Sequence, residues 1–288
     1  MALELDRMRL DDIGGNPERL ATAIHDQLPP LEGALPVYDI ARALDIEEIR
    51  EAPLKSFEGA LITSPEKSRG AIVVNSLSSR QRRRYTVGHE LGHFLNPWHM
   101  PTTASGFECT RADMLVRSGA SQHLKQEAEA NRFAIELLAP EPRIRPYLAG
   151  AADLAHALAI ATDFDISKEA AVRRYAALHH ETLAVVFSRA GTVRYIVRPP
   201  EFPALSFRNG DRLSLTGGMG AEWDDLDARD WLKETANVEL SAQILRQAGD
   251  YSIVLLRVEG ADEEDEGDIG ERARAFSDQA GSYPAAAK

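Results

Sequence analysis

The chain has 288 residues, of which 44% are hydrophobic and 27% are charged, a composition typical of soluble globular proteins with one or two domains. Its net charge of -12 argues against a general affinity for nucleic-acid phosphate. The single cysteine, Cys109, excludes an internal disulfide and suits a reducing compartment.

The N-terminal segment is charged and has no apolar core, so the sequence does not predict a secretory signal. No apolar run approaches the ~20 residues that a membrane-spanning helix needs. We therefore expect a cytoplasmic protein with no membrane partner.

Periodic apolar patterns divide the chain into helical and β-rich stretches. Helices are predicted over residues 17–28, 37–49, 79–95, 121–139, 153–161 and 167–178. Strands are predicted over residues 59–64, 70–76, 182–189, 192–198, 211–216 and 251–259. The first two strands are joined by a turn-like segment, which predicts a hairpin or adjacent strands. From Glu259 to Glu271 the chain carries many acids and no base, which is typical of a solvated tail.

The segment from Tyr85 to His99 contains the pattern His-Glu-x-x-His, formed by His89, Glu90 and His93. Residues four apart on a helix lie on one face, so both imidazoles could bind one metal ion. Glu90 would then reach a water on that metal and act as general base and acid. Two surface or core histidines would give the same pattern without a metal.

A zinc peptidase site needs a third protein ligand and an open fourth position. The next predicted helix offers Glu127, Glu129 and Glu136. Its apolar stripe consists of Ala130, Phe133, Ala134, Leu137 and Leu138. Glu127 falls on this stripe near Asn131, whereas Glu129 falls toward solvent. A buried carboxylate needs a partner, so we predict Glu127 as the third ligand. The alternative is a first-turn glutamate that interacts with the helix dipole. Asn131 could orient a ligand.

These segments resemble the ImmA/IrrE family of metallopeptidases over roughly residues 15–180. The likeness rests on RRRYTVGHELGHFL, on EAEANRFAIELLAP and on the helical pair that follows. The second segment is similar to the family pattern Glu-x-x-Ala-Asn-x-Phe-Ala-x-x-Leu-Leu-x-Pro, which also places Glu127 at the ligand position. Ala139 departs from the methionine that is common there.

The resemblance implies an α+β fold with a zincin-like core and a zinc-dependent endopeptidase. It implies a protein substrate, a helix-turn-helix repressor, in stress response or in phage or mobile-element regulation. The ligand types are also compatible with Mn²⁺ or Fe²⁺. We predict a metallopeptidase domain over residues 1–180, which includes a helix-turn-helix-like pair at 152–180. We also predict a β-rich domain over 181–258, with a sensor or interaction role by analogy. An acidic disordered tail is predicted over 259–288.

Other residues near the motif have weaker assignments. His99, His123 and Tyr85 are candidates for stabilising the oxyanion or supporting the site, with simple packing as the alternative for Tyr85. Cys109 could compete for the metal, but we interpret it as an inert thiol. The strand Ala71–Asn75 is either an edge strand that binds extended substrate by β-addition or an interior strand.

Two non-enzymatic functions remain open. The helical pair, with Lys168, Arg173 and Arg174 on its second helix, could read DNA in a transcriptional regulator whose metal site is structural or vestigial. The protein could also bind a repressor without cutting it, as a toxin–antitoxin component. The acidity of the chain makes direct DNA binding the less favoured interpretation.

Overall fold

The computed structural model describes residues 3–215, 220–234 and 238–259. Contacts divide these residues into two compact units. The first unit comprises the described residues up to Arg143 together with Thr162–Ser167. The second comprises Ile144–Ala161 and the described residues from Lys168 onward. The combination of helices and two sheets confirms the predicted α+β class.

Most of the helical pair predicted at 152–180 groups with the β-rich segment, whereas its middle, Thr162–Ser167, groups with the motif-bearing segment. The predicted domain boundaries at residues 180 and 258 stay predictions. Of the acidic tail predicted over 259–288, Glu259 is described, and the remainder lies outside the described residues.

The first unit combines helices with one four-stranded sheet. Its helices are α1 (Met8–Asp11), α2 (Pro17–His25), α3 (Val37–Ala43), α4 (Arg80–Leu95) and α5 (Gln122–Leu138). Its strands are β1 (Ile46–Ala52), β2 (Gly59–Thr63), β3 (Gly70–Asn75) and β4 (Gly106–Cys109). A 3-10 turn covers Asp113–Leu115. The short helix α6 (Glu141–Ile144) follows α5 and ends at the first residue of the second unit, to which the 3-10 turn at Arg145–Leu148 belongs.

The sheet of the first unit has the strand order β1-β3-β2-β4, with β1 parallel to β3 and the other pairs antiparallel. The pairing of β2 with β3 confirms the predicted adjacent strands. Because β3 lies between β1 and β2, the edge-strand interpretation of Ala71–Asn75 is wrong and the interior interpretation is correct. The outer strand beside β2 is β4.

The error about β3 arises from β1, which the sequence pattern assigns to a helix. The helix predicted over residues 37–49 ends at Ala43, and Asp45, with a left-handed φ of 68°, turns the chain into β1. Ile46 is buried, but the charged residues that follow it are exposed, as suits a strand at the sheet edge. The sequence of this segment therefore lacks the alternation of apolar and polar residues that would predict a strand.

Helix α4 carries the His-Glu-x-x-His pattern through the centre of the first unit. It begins after the N-cap Ser79, whose side chain accepts a hydrogen bond from Arg82 N, and ends at Leu95. Every side chain from Thr86 to Leu95 is buried, because the helix packs against α5 as well as β2 and β3. Gly92 permits close approach of α5, since a Cβ at Gly92 would lie 3.2 Å from Ala130 Cα.

Lys67, in the turn between β2 and β3, closes the carboxyl end of α4. Its Nζ donates hydrogen bonds to the carbonyl oxygens of His93 at 2.8 Å and of Asn96 at 2.7 Å. Burial lowers the pKa of Lys67 to about 8. A cation at this end of a helix also interacts favourably with the helix dipole.

Replacing Lys67 by methionine keeps most of the side-chain volume but removes both donors. We expect the free energy of unfolding to fall by about 1–3 kcal/mol, because two buried carbonyl groups lose their partners. Urea unfolding measures the change, with Lys55→Met, at an exposed position, as the control. Equal effects of the two substitutions would show that Lys67 does not cap the helix.

The second unit contains one five-stranded sheet. Its helices are α7 (Leu154–Asp163), α8 (Lys168–Leu178) and α9 (Ala228–Trp231). Its strands are β5 (Leu183–Arg189), β6 (Thr192–Val197), β7 (Gly220–Leu226), β8 (Glu239–Gln247) and β9 (Tyr251–Glu259). A 3-10 turn covers Ala248–Asp250. The strands are antiparallel, in the order β6-β5-β9-β8-β7, and pack a core that includes Phe202 and Trp231.

Strand prediction succeeds only in part in this unit. The segments 182–189, 192–198 and 251–259 correspond to β5, β6 and β9. The predicted strand at 211–216 is wrong in its described part, residues 211–215, where Arg212 forms a single bridge with Thr192. Strands β7 and β8 were not predicted.

Gln243 on β8 links this sheet to the start of α7. The side chain is fully buried, and its Oε1 accepts a hydrogen bond from Leu154 N at 2.5 Å while its Nε2 donates to Asp153 Oδ1 at 3.3 Å. The glutamine therefore satisfies a backbone N–H at the amino end of α7.

Replacing Gln243 by leucine leaves that N–H without its acceptor. We expect a loss of about 1–3 kcal/mol in the free energy of unfolding and faster hydrogen exchange at Leu154. Thermal unfolding and amide exchange measure the two effects. Gln247→Leu, at the partly exposed end of the same strand, is the control, and unchanged exchange at Leu154 in the Gln243 variant would contradict the expectation.

Among the described residues, the helices are too short or too polar to cross a membrane.

Candidate metal centre

Two imidazoles and one carboxylate converge where α4 packs against α5. His89 and His93 lie one turn apart on α4, with their Nε2 atoms 3.1 Å from each other. Glu127, on α5, places its carboxylate oxygens 3.2 Å from His89 Nε2 and 3.5 Å from His93 Nε2. All three side chains are at most 1% exposed. The structure thus brings together the three predicted ligands.

Asn131 fixes the ring of His89. Its Nδ2 donates to two backbone carbonyl oxygens of the segment 113–116, at 2.8 and 2.9 Å, so its Oδ1 is the acceptor. His89 Nδ1 lies 3.0 Å from this oxygen and must carry the proton. The hydroxyl of Tyr85 donates to the same oxygen at 2.9 Å. His89 therefore presents the lone pair of Nε2 to the cluster, as metal binding requires.

A second chain of hydrogen bonds fixes the ring of His93. His93 Nδ1 lies 2.9 Å from His99 Nδ1, and His99 Nε2 lies 2.9 Å from Glu129 Oε2. A carboxylate can only accept, so His99 donates from Nε2, accepts at Nδ1 and leaves the donor role to His93 Nδ1. Asn96 Nδ2 also donates to Glu129, at 3.1 Å. His93 thereby presents the lone pair of Nε2 as well.

The charge states of the cluster suit metal binding. Burial lowers the pKa of His93 to about 3, so this imidazole is neutral at physiological pH. Burial alone would raise the pKa of Glu127, but the close approach of the His89 and His93 rings holds it well below its usual range. Burial would lower the pKa of His89, but the hydrogen bond with Glu127 raises it. A metal ion would replace the proton shared by His89 and Glu127.

Glu90 is completely buried beside the ligands. Burial raises its pKa to about 7. Its Oε2 accepts a long hydrogen bond, 3.7 Å, from the thiol of Cys109. Burial and the carboxylates of Glu90 and Glu127 raise the pKa of this thiol well above its usual value. Its Oε1 has no hydrogen-bond partner among the described residues. Gly59 on β2 gives this oxygen room, since a Cβ there would lie 2.6 Å from it.

The other predicted site residues have different positions. Tyr85 contacts Asn131 rather than the three ligands. Both ring nitrogens of His99 are engaged, so its contacts favour support of His93 over stabilisation of an oxyanion. His123 is 44% exposed, with Nδ1 3.6 Å from Glu127 Oε1 and Nε2 3.1 Å from Asp113 Oδ1. An oxyanion role for His123 stays a prediction.

Two residues lie nearer to the site than the sequence interpretation implies. Glu129 falls on the polar side of α5, and its side chain is 46% exposed, yet its carboxylate reaches the buried His99. Cys109 follows an irregular segment, but β4 places its sulfur within 4.8 Å of ligand atoms of His89, His93 and Glu127. The only sequence signal for the contact of Glu129 with His99 is the six-residue spacing of His93 and His99. The sequence has no signal that places Cys109 beside the predicted ligands.

Comparisons with known proteins give a family match and a similar solved structure. A search of curated protein sequences finds no match. Among solved structures, the chain is similar to a Mycobacterium tuberculosis transcriptional regulator, with 12% sequence identity and a TM-score of 0.45 over 86% of this chain and 76% of that chain. Residues 44–175, which include His89, Glu90, His93 and Glu127, match the Peptidase_M78 family model, described as the IrrE N-terminal-like domain. This match agrees with the predicted resemblance of the motif-bearing segment to the ImmA/IrrE family.

Proposed function

We propose that this protein is a metal-dependent endopeptidase in which His89, His93 and Glu127 hold zinc and Glu90 is the general base and acid. The observation that carries the proposal is the convergence of three buried side chains: the two Nε2 atoms lie 3.1 Å apart, and the two Glu127 oxygens lie 3.2 and 3.5 Å from them. Ligand atoms in a tetrahedral zinc site, with bonds of 2.0–2.1 Å, lie about 3.3 Å apart. The residues present therefore fit the ion, and Mn²⁺ and Fe²⁺ suit the same ligands.

The chemistry is divided between the ion and Glu90. Bound zinc supplies Lewis acidity, which polarises the scissile carbonyl and makes water more acidic. Glu90 accepts the proton of the attacking water and passes it to the leaving amine. A pKa of about 7 suits a group that must both accept and donate near neutral pH. His123, at the exposed side of Glu127, is the candidate donor to the oxyanion.

The substrate is proposed to bind along β4. This strand is an outer strand of the sheet and ends at Cys109, whose thiol contacts Glu90. An extended peptide added to β4 would therefore pass beside the general base, with backbone hydrogen bonds for affinity and side-chain contacts for selectivity. Trp98 and Met100, 72% and 59% exposed in the segment after α4, offer apolar contacts.

The proposed substrate class is a helix-turn-helix repressor, and its support is the match of residues 44–175 to the IrrE N-terminal-like domain. Direct DNA binding by α7 and α8 is less favoured, because Arg174, one of the three basic residues predicted to face DNA, is buried. The expected cytoplasmic location stays a proposal, supported by a single cysteine. A sensor or interaction role for the β-rich unit also stays a proposal.

A cleavage assay separates the proposed function from the non-enzymatic ones. The purified protein is incubated, with zinc or manganese, with a small helix-turn-helix repressor encoded beside it, and intact-mass spectrometry identifies the products. We expect two complementary fragments that disappear with chelator. A gel shift with promoter DNA that persists in chelator would favour a transcriptional regulator. Stable binding of an intact repressor would favour a toxin–antitoxin component.

A further inference from the structure

Cys109 lies at the metal centre although it belongs to neither motif. It ends β4 and is 1% exposed. Its Sγ, one nitrogen each of His89 and His93, and one oxygen of Glu127 all lie within 4.8 Å of one another. The four residues are buried, so the thiol is enclosed with the three predicted ligands.

The surroundings of Cys109 differ from those of most buried cysteines. Inert buried cysteines act as small hydrophobic groups among apolar neighbours, whereas Cys109 lies beside the buried carboxylates of Glu90 and Glu127. The second oxygen of Glu90 has no hydrogen-bond partner in the described part of the chain. Buried carboxylates need a compensating cation, and a thiolate is a preferred ligand of zinc.

We propose that the Cys109 thiolate is a fourth ligand of the metal in the resting protein. This inference rests on the metal centre of the proposed function. Sulfur and nitrogen ligands of tetrahedral zinc lie about 3.5 Å apart. Since the present separations do not exceed 4.8 Å, the sulfur must approach by about 1.3 Å at most. On ligation the S–H bond breaks, a sulfur–metal bond forms and the proton leaves to the solvent.

A fourth protein ligand closes the site. Catalytic zinc sites keep one position open, so Cys109 must leave before Glu90 can act on a water. Cys109 belongs to the strand along which the substrate is proposed to bind, and a peptide that adds to β4 would displace the sulfur. The protein would then be inactive without substrate, and substrate binding would open the metal site.

Cobalt substitution tests the inference by absorption spectroscopy, without reference to activity. The full-length protein is stripped of metal and titrated with Co²⁺ alone. Because the chain has one cysteine, a thiolate-to-cobalt charge-transfer band in the near ultraviolet can come only from Cys109. We expect the band in the wild type and in Glu90→Gln, and its complete loss in Cys109→Ser at one cobalt per chain. Glu90→Gln is the matched control, because it alters the contact with Cys109 while keeping the thiol.

Each outcome is decisive. One bound cobalt without the band in the wild type would overturn the inference and leave the metal centre intact. A band that persists in Cys109→Ser would also overturn it. No stoichiometric cobalt binding in the wild type would instead refute the metal centre, and the fourth ligand with it. X-ray absorption of the zinc-loaded wild type, which needs no variant, should show one sulfur neighbour at about 2.3 Å.

Discussion

Replacing Glu90 by glutamine should abolish peptide-bond cleavage while one metal ion stays bound per chain. Glutamine has nearly the same shape but cannot accept the proton of the attacking water, so the rate should fall by roughly 10²–10⁴-fold. Glu90 is not among the three metal ligands, and burial already raises its pKa to about 7, so a neutral amide there should not destabilise the fold. Cleavage of the repressor is followed by intact mass, and bound metal by elemental analysis.

The control for this variant is Glu66→Gln, in an exposed turn of the same unit. It should cleave at the wild-type rate. If Glu90→Gln retained wild-type activity, another group would have to be the base, and the proposed mechanism would fail. If both cleavage and metal were lost, Glu90 would be needed to form the site rather than to transfer protons.

Replacing Glu127 by glutamine should remove tight metal binding. The substitution replaces an anionic oxygen ligand by a neutral amide, and only the two imidazoles remain unchanged. Loss of a group that merely supports a ligand typically lowers metal affinity ~10–100-fold. Loss of a ligand should lower it by well over that factor. A ligand present at 100 times its Kd stabilises the folded state by about 2.7 kcal/mol. The rise in Tm that zinc produces in the wild type should therefore disappear, and calorimetry with and without zinc measures it.

Glu129→Gln provides the matched control on the same helix. Glu129 touches His99 rather than the metal cluster, so this variant should bind metal more weakly by about 10–100-fold but keep a zinc-dependent rise in Tm. A loss of metal in Glu129→Gln with full retention in Glu127→Gln would reverse the two assigned roles.

The convergence of His89, His93 and Glu127 could be predicted from the sequence because each position depends on helical spacing. His89 and His93 follow from the one-turn repeat, and Glu127 follows from the apolar stripe of α5 and from the family pattern. The hydrogen bonds of His99 with Glu129 could not be predicted. They join the segment after α4 to the polar side of α5, and that contact depends on how the chain turns between the two helices.

The strands show a similar limit. Runs rich in β-branched residues, such as β3 and β5, are predicted at the correct positions. Strand β1 has a charged outer face, and β8, with the sequence ELSAQILRQ, contains residues that also favour helices. Pairing with neighbouring strands decides the structure of both, and such long-range contacts override local preference. The misplaced β1 is also the reason that β3, rather than β4, was considered as the edge strand.

An anomalous difference map at the zinc absorption edge, from crystals grown with zinc, tests the metal centre most directly. The map should contain one strong peak per chain, about 2.0–2.2 Å from His89 Nε2, His93 Nε2 and a Glu127 oxygen. A peak held by other residues, or no peak between α4 and α5 at saturating zinc, would contradict the proposed site.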